Sequence, residues 1–157
     1  MCEDVRSALH IAIDKRNAPI VKMLLNSKCD VNQRGLKLQT PLMYACASSN
    51  VSDIRKLLLN ANCDVNIPDE DGQSPLHIAC KDSNIQLIKM ILTKCQDINA
   101  IDNFGRNALH YASEYSYTNT IDLLLRAHCN INKRDSNNET PIFYAFRNYN
   151  TKVTFKP

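Results

Sequence analysis

The sequence predicts an all-α fold built from repeated helix pairs, and three observations support this prediction. A helix-start motif recurs along the 157-residue chain at steps of 33 or 34 residues. A second motif, Asp-Val-Asn or a close variant, keeps the same step. So does an apolar block that ends in Leu-Leu or Ile-Leu. Three landmarks in one register indicate a single structural unit repeated along the chain.

The helix-start motif predicts the first helix of each repeat. Each copy begins with a residue type that is favoured at the helix N-cap, and three copies continue with proline, which suits the first helical position. The five copies are Ser7–Ala12, Thr40–Ala45, Ser74–Ala79, Asn107–Ala112 and Thr140–Ala145. We therefore expect short helices near residues 8–15, 41–48, 75–82, 108–115 and 141–147.

The apolar blocks predict a second helix in the first four repeats. These blocks end at Leu24-Leu25, Leu58-Leu59, Ile91-Leu92 and Leu124-Leu125. They place second helices near residues 18–27, 52–61, 85–94 and 118–127. The second motif then leads into an extended turn, at Asp30-Val31-Asn32, Asp64-Val65-Asn66, Asp97-Ile98-Asn99 and Asn130-Ile131-Asn132. Since one helix pair cannot bury its apolar face alone, neighbouring repeats must supply the core.

These motifs resemble the ankyrin repeat, whose pattern is a turn, Thr-Pro-Leu-His-x-Ala, a second helix and a Gly-Ala-Asp-Val-Asn exit. The resemblance covers residues 7 to about 147. It implies an all-α ankyrin-repeat solenoid, an L-shaped stack of antiparallel helix pairs with β-turn fingers projecting at roughly right angles to the helices. We expect one domain over residues 1–157. Its repeats lie at about 3–35, 36–69, 70–102 and 103–135, with a partial repeat at 136–147 and a tail at 148–157.

Several positions depart from this pattern. The exit from the second helix carries Lys28, Asn62, Cys95 and His128 where the family favours glycine, and only Asn62 suits a left-handed cap. We expect these exits to be strained or capped differently. Repeat two has one extra residue between its helices, which predicts a bulged loop, and its finger, residues 35–39, has a displaced glycine.

The end of the chain carries no recognisable second helix for repeat five. We therefore expect part of the apolar face of Ile121, Leu124 and Leu125 to lack a covering helix. The favoured interpretation is that residues 148–157 fold back over this face. Self-association through the C-terminal end is the second interpretation, and cover by further chain after residue 157 is the third.

Composition limits the class of partner. The net charge of +3 is weak and evenly spread, which argues against nucleic acid and anionic membranes. No apolar run approaches the roughly 18 residues that span a bilayer, and residues 1–6 lack the features of a secretion signal. Seven cysteines cannot all pair internally. We therefore expect free thiols in a reducing compartment, the cytoplasm and/or the nucleus.

Histidine and cysteine positions favour structural roles. The resemblance implies that His10, His77 and His110, which share one motif position, tie adjacent fingers and helices together, while His128 is a solvated helix-end cation. Cysteines also recur in register, as Cys29, Cys63 and Cys129 and as Cys46 and Cys80. Equivalent residues would lie roughly 8–10 Å apart, too far for a disulfide or a shared zinc ion. No catalytic or phosphate-binding motif is present, so we expect no enzyme, no cofactor and no metal.

The resemblance implies a concave groove, lined by fingers and inner helices, that binds another protein. Transferring the variable positions of the family gives Leu36, Lys37, Gln39, Glu70, Asp71, Lys81, Phe104, Arg106, Glu114 and Tyr115, together with Ala47, Ser48, Gln73, Asp82, Asn103, Ser136, Asn137 and Glu139. We expect Phe104, Arg106 and Tyr115 to be the anchors, because aromatic and arginine side chains dominate interface energy. The alternative for Phe104 is packing against the neighbouring finger. The resemblance also makes Asn32, Asn66, Asn99 and Asn132 candidates for asparaginyl hydroxylation.

Two functions are compatible with these residues. The first is an adaptor or scaffold module that recruits a partner protein. The second is a stand-alone stoichiometric inhibitor of a kinase or of an NF-κB-like transcription factor, including a viral or parasite mimic of such an inhibitor. A third class, an enzyme or small-molecule receptor, has no supporting motif.

Overall fold

A computed structural model describes residues 6–82, 84–115 and 117–153, with side chains described as far as Arg147. Within these ranges there are nine α-helices, one short 3-10 turn at Leu36–Leu38, and no strand. The helices are α1 Ala8–Asp14, α2 Ala18–Asn26, α3 Pro41–Ala47, α4 Ser52–Asn60, α5 Pro75–Lys81, α6 Ile85–Leu92, α7 Ala108–Glu114, α8 Thr118–Arg126 and α9 Pro141–Val153.

The helices form two layers. Odd-numbered helices, here called inner, each pack against the next inner helix, and the even-numbered outer helices do the same. Each outer helix also packs against the inner helix of its own repeat. This arrangement is the predicted all-α solenoid, with equivalent helices 33 or 34 residues apart. In the described ranges, no helix has the length and apolar character needed to cross a membrane.

The inner helices start where the caps predict. The side chains of Ser7, Thr40 and Asn107 accept the backbone N–H of the third helical residue. Proline occupies the first turn of α3 and α5, where its missing N–H costs nothing. The motif alanines Ala12, Ala45, Ala79 and Ala112 are all buried. Their small side chains let consecutive inner helices pack closely, and this contact carries the core along the solenoid.

The C-terminal end differs from the prediction. Helix α9 does not stop near residue 147 but continues to Val153, so the predicted tail is helical through 153 and does not fold back there. Residues 154–157 of that tail lie outside the described part of the chain. Leu124 is fully buried and Ile121 is half-buried, whereas Leu125 is 38% exposed. The uncovered apolar face of α8 is therefore smaller than predicted, because α6 and α7 pack against most of this helix.

Three of the four helix exits are left-handed. Lys28, Asn62 and His128 have φ of 57°, 56° and 64°, as expected for a position that favours glycine. Cys95 is the exception and has no positive φ, so this exit is built differently. Lys28 and His128 therefore carry the predicted strain, because a left-handed conformation brings Cβ close to the following carbonyl oxygen.

Repeat two contains the predicted bulged loop and a buried arginine that supports it. Arg55 on α4 is buried, and its Nε donates to the carbonyl of Ala45 at 2.8 Å. Its Nη2 donates to the carbonyls of Cys46 at 3.3 Å and Ser48 at 2.6 Å. The guanidinium thus caps the end of α3. The sequence did not predict this role, since an arginine on an outer helix is ordinarily solvated.

Candidate functional site

Three of the four fingers share one carboxylate-centred turn. In the finger Asp102–Arg106, the backbone N–H of Asp102 donates to the Arg106 carbonyl at 3.0 Å. One Asp102 oxygen, Oδ1, accepts the N–H groups of Phe104 and Arg106, both at 2.9 Å. Gly105 takes the left-handed position, with φ of 77°. The fingers Asp69–Gln73 and Asp135–Glu139 repeat these backbone bonds around Asp69 and Asp135.

Consecutive fingers are joined by single backbone hydrogen bonds. The N–H of Glu70 donates to the carbonyl of Lys37 at 2.9 Å, and the N–H of Asn103 donates to that of Asp71 at 2.9 Å. The N–H of Ser136 completes the series by donating to the carbonyl of Phe104 at 2.8 Å. The backbone at the finger tips is therefore held, so the side chains projecting from them start from fixed positions.

The motif histidines tie each repeat to the finger that follows it. His10 Nε2 lies 3.1 Å from the carbonyl of Gln39, and His77 and His110 make the same contact with Arg106 and Glu139 at 3.2 Å. The ring Nδ1 accepts a backbone N–H at the start of its own helix, so the Nε2–H form donates to the finger. Burial lowers the pKa of all three histidines, which favours this neutral form. The predicted structural role is confirmed. His128 is exposed, as expected for a helix-end side chain.

Arg106, a predicted anchor, is bound within its own repeat. Its Nε donates to Asp102 Oδ2 at 2.8 Å, and its Nη2 donates to the Tyr111 hydroxyl at 2.6 Å. The guanidinium carbon lies 5.0 Å from the ring centre of Phe104 and 4.6 Å from that of Tyr111. The Tyr111 hydroxyl in turn donates to Asp102 at 2.6 Å. Hydrogen bonds from Tyr111 and Arg106 hold the pKa of Asp102 below its usual value despite burial, which opposes them.

Two aromatic side chains remain exposed beside this cluster. Phe104 is 56% exposed, and the guanidinium carbon of Arg106 lies 5.0 Å from its ring centre. The alternative, that the ring packs against the neighbouring finger, stays a prediction. Tyr115, at the end of α7, stacks on Tyr117 with ring centres 5.8 Å apart. We call the group Lys81, Phe104, Arg106, Tyr111 and Tyr115 the repeat-four platform.

Lys81 extends the platform toward the preceding finger. Its Nζ donates to Gln73 Oε1 at 2.6 Å and lies 5.0 Å from the ring centre of Tyr111. Burial lowers the pKa of Lys81, and the nearby Arg106 acts in the same direction. Gln73, predicted as a groove residue, is buried by these contacts and is not open to a partner. Arg147 makes the corresponding bond in repeat five, to Glu139 at 2.6 Å, and was not predicted.

The remaining predicted groove residues lie in the fingers and at the ends of the inner helices. Leu36, Lys37, Glu70 and Asp71 are exposed, whereas Gln39 and Glu114 are half-buried. Ala47, Asp82, Asn103, Ser136 and Asn137 are exposed, and Ser48 and Glu139 are half-buried. What sequence reasoning missed is the support beneath them, above all Asp102 and Tyr111. The recurrence of aspartate three residues before the finger glycine, at Asp69 and Asp102, is the signal that could have found it.

The candidate hydroxylation asparagines link successive repeats. The Oδ1 atoms of Asn32, Asn66 and Asn99 accept backbone N–H groups of the next repeat, from Asp64 at 2.8 Å, Gln96 at 2.9 Å and Asn130 at 2.6 Å. All three are half-buried, whereas Asn132 is exposed. These bonds give the asparagines a structural role that needs no modification, and hydroxylation stays a prediction.

In the described ranges, Cys46, Cys63, Cys80 and Cys129 are buried, whereas Cys29 and Cys95 are half-buried. Burial raises the pKa of the Cys46 thiol to about 12 and those of Cys63 and Cys129 to about 11, so thiolates are disfavoured. Cys2 lies outside the described residues. Within the described part of the chain, no group of three or more histidine, cysteine or acidic side chains could hold a metal ion.

The architecture is that of a repeat solenoid whose fingers and inner helices lie side by side. A family model described as ankyrin repeats matches the chain in three copies, over residues 2–69, 42–135 and 84–155. The chain therefore belongs to the ankyrin-repeat family, whose members are in general protein–protein interaction modules built on a non-catalytic fold. No curated protein matches the sequence.

Proposed function

We propose that this protein is an adaptor or scaffold module that binds a partner protein through the groove of its fingers and inner helices, with the repeat-four platform at the centre. The observation that carries this proposal is Phe104, an exposed aromatic ring on an arginine that is already fixed by Asp102 and Tyr111. Such a side chain loses little conformational entropy on binding. Most of the free energy gained by burying its ring therefore contributes to affinity.

The chemistry of the platform suits a partner segment with both apolar and polar contacts. Phe104 and Tyr115 offer apolar area, whereas the half-buried Lys81 and the exposed finger acids Glu70 and Asp71 offer charge. Aromatic anchors surrounded by polar groups are typical of energetic hot spots at protein interfaces. We therefore propose an apolar or aromatic side chain of the partner on Phe104 and Tyr115, flanked by polar residues that meet the fingers.

The test is affinity capture from the source cells with matched variants. The double variant Phe104→Ala/Tyr115→Ala should lose the specifically captured partner, because both rings lie at the proposed centre. Met23→Ala, an exposed apolar residue on outer helix α2, is the control and should retain it. Capture that survives the double variant but is lost with changes outside the groove would contradict the proposal.

The inhibitor alternative is distinguished once a partner is in hand. An adaptor should leave the activity of its partner unchanged at saturation and should bind two components at once. A stoichiometric inhibitor should abolish that activity at a one-to-one ratio. We also propose a cytoplasmic or nuclear location, which the free thiols of the described cysteines support because disulfides are rare in these reducing compartments. An intact mass below that of the fully reduced chain after gentle isolation would indicate a disulfide and would contradict this location. Secretion of a tagged chain would contradict it as well.

A further inference from the structure

The C-terminal end of the solenoid exposes an apolar face that is buried in every other repeat. Ile142, Phe143 and Phe146 on α9 are 55%, 56% and 60% exposed. Their equivalents in repeats one to four are all buried, and they are Leu9, Leu42, Leu76 and Leu109 for the first position, His10, Met43, His77 and His110 for the second, and Ile13, Cys46, Cys80 and Ser113 for the third. Leu125 on α8 and Ile131 after it, 38% and 50% exposed, lie at the same end of the molecule. We call these five residues the α9 face.

The α9 face is exposed because an outer helix does not follow α9 in the described residues. In repeat four, α7 ends at Glu114 and the outer helix α8 begins at Thr118. The equivalent positions in repeat five, 148–150, are helical, and α9 runs on to Val153. An outer helix here would pack against α9, as α8 packs against α7, and against α8, as α8 packs against α6. At Phe143, the α9 face therefore borders the position that the inner helix of a further repeat would take, in the register of the His110–Tyr144 contact. It also borders a vacant outer-helix position.

We propose that a second copy of this chain occupies that position, forming a symmetric dimer in which the two α9 helices pack against each other. Inner and outer helices run antiparallel within every repeat, and a two-fold axis across α9 makes the two α9 helices antiparallel as well. The partner α9 can therefore take the direction that an outer helix would have. The same contact covers the face of both copies, and such self-complementary two-fold interfaces are the commonest in homo-oligomers.

The area of the face agrees with a stable dimer. A large apolar side chain has about 150–250 Å² of surface, so the exposed fractions of these five residues correspond to about 500 Å² per copy. Two copies would bury about 1,000 Å² of apolar surface, and homodimer interfaces are about 65% apolar. The total of about 1,500 Å², reached when the whole face is buried and leucine and isoleucine are given about the area of an aromatic side chain, falls within the standard size of specific interfaces.

A head-to-tail arrangement fits less well. The opposite end exposes Ile11 on α1 and Ile20 and Met23 on α2. Stacking that end on α9 would give Ile11 a partner at Phe143, in the register of the His110–Tyr144 contact. It would leave Ile20 and Met23 on α2 without a partner, because α2 would need an outer helix from the preceding repeat to pack against, and no outer helix follows α9 in the described residues. A closed dimer leaves no such gap on the α9 face.

The experiment is sedimentation velocity on the 157-residue protein from micromolar to near-millimolar concentration. The mass should rise from 17.8 kDa to twice that value and stop there. Phe143→Ser/Phe146→Ser should remain monomeric with an unchanged helical circular dichroism spectrum, whereas Met23→Ser, the matched control at the other end, should dimerise normally. The thermal midpoint of the wild type should also rise with concentration, as linkage requires, which tests the dimer without any substitution.

Four outcomes would overturn the proposal. They are a wild-type monomer at every concentration, a mass that grows without limit, a dimer that survives the double substitution, and loss of dimerisation in Met23→Ser. The second and fourth would favour head-to-tail stacking. The first would mean that the α9 face is covered within one chain or does not associate at all.

Discussion

Repeat two and repeat four close their fingers with the same backbone hydrogen bond, but different side chains support the two repeats. In repeat four, a carboxylate closes the finger, a histidine reaches the next finger, and the carbonyl of Ala112 accepts the backbone N–H of Tyr117. In repeat two, the finger has Gly35 in place of the aspartate and Met43 in place of the histidine. The carbonyl of Ala45, the equivalent of Ala112, accepts from Arg55 instead.

The finger of repeat two shows what replaces the carboxylate. Its backbone closes through the same bond, from Gly35 N–H to the Gln39 carbonyl at 2.8 Å, but its tip becomes a 3-10 turn. Lys37 and Leu38 both take left-handed conformations, with φ of 54° and 56°. Without a Cβ at Gly35, the His10 ring can lie close to the backbone of this finger. The closing bond of the hairpin therefore forms with or without the carboxylate. In repeat two, where the carboxylate is absent, two residues other than glycine take the left-handed conformation and strain the tip.

The largest expected effect is at Arg55. Replacing it with methionine keeps the volume but removes the donors to three carbonyls at the end of α3. Unsatisfied buried acceptors cost about 1–3 kcal/mol each, so we expect a loss of about 3–4 kcal/mol in the free energy of unfolding. Urea denaturation measures it, and Lys56→Met, an exposed neighbour on the same helix, is the control. A loss below about 1 kcal/mol would mean that water replaces the guanidinium.

The second effect is at Asp102, the carboxylate that repeat two lacks. Asp102→Ala removes bonds to the backbone of Phe104 and Arg106 and to the side chains of Arg106 and Tyr111. We expect a loss of about 2–3 kcal/mol, as for other buried charged groups with hydrogen bonds. Glu70→Ala, on the exposed tip of the previous finger, should change stability by less than about 0.5 kcal/mol. Equal effects of the two variants in urea titrations would show that the carboxylate does not support the finger.

Stability should fall as the solution is acidified from pH 7 to pH 5. Burial lowers the pKa of His10, His77 and His110 below the unfolded value, so the unfolded chain binds protons first. Their contribution is complete above about pH 6.5 and is lost as the pH falls from there through the folded pKa. Each histidine adds at most about 1.4 kcal/mol per pH unit.

Thermal melts across this range, repeated with His77→Met, provide the measurement. Repeat two shows that methionine is accepted at this position, and the variant lacks one titrating group. It should be less stable at pH 7 because it loses the bond to the Arg106 carbonyl, but its stability should change less with pH. If the stability of the variant depends on pH as steeply as that of the wild type, His77 does not contribute to the loss of stability in acid.

The sequence predicted the fold almost completely because its landmarks are local and repeated. Caps, proline positions and apolar blocks placed all nine described helices, and only the end of α9 was wrong. The candidate site was harder, since Asp102 and Tyr111 act on Arg106 through contacts that depend on the finger and helix meeting in space. Arg55 was missed for the same reason, because its acceptors lie seven to ten residues away across a loop.

The smallest effect is a gain in stability at Leu38. This side chain is 47% exposed and has φ of 56°, at the position that Gly72 and Gly105 occupy in the next two fingers. A left-handed conformation costs a non-glycine residue about 1–2 kcal/mol, while glycine costs about 0.5–1 kcal/mol in unfolded-chain entropy. We therefore expect Leu38→Gly to raise the free energy of unfolding by about 0.5–1 kcal/mol. Asn138→Gly, with φ of 65° in the last finger, is the matched control. Asparagine tolerates this conformation, so its gain should be smaller. If Leu38→Gly is neutral or destabilising, Leu38 contributes packing that offsets its strain, and the finger of repeat two is better supported than its backbone indicates.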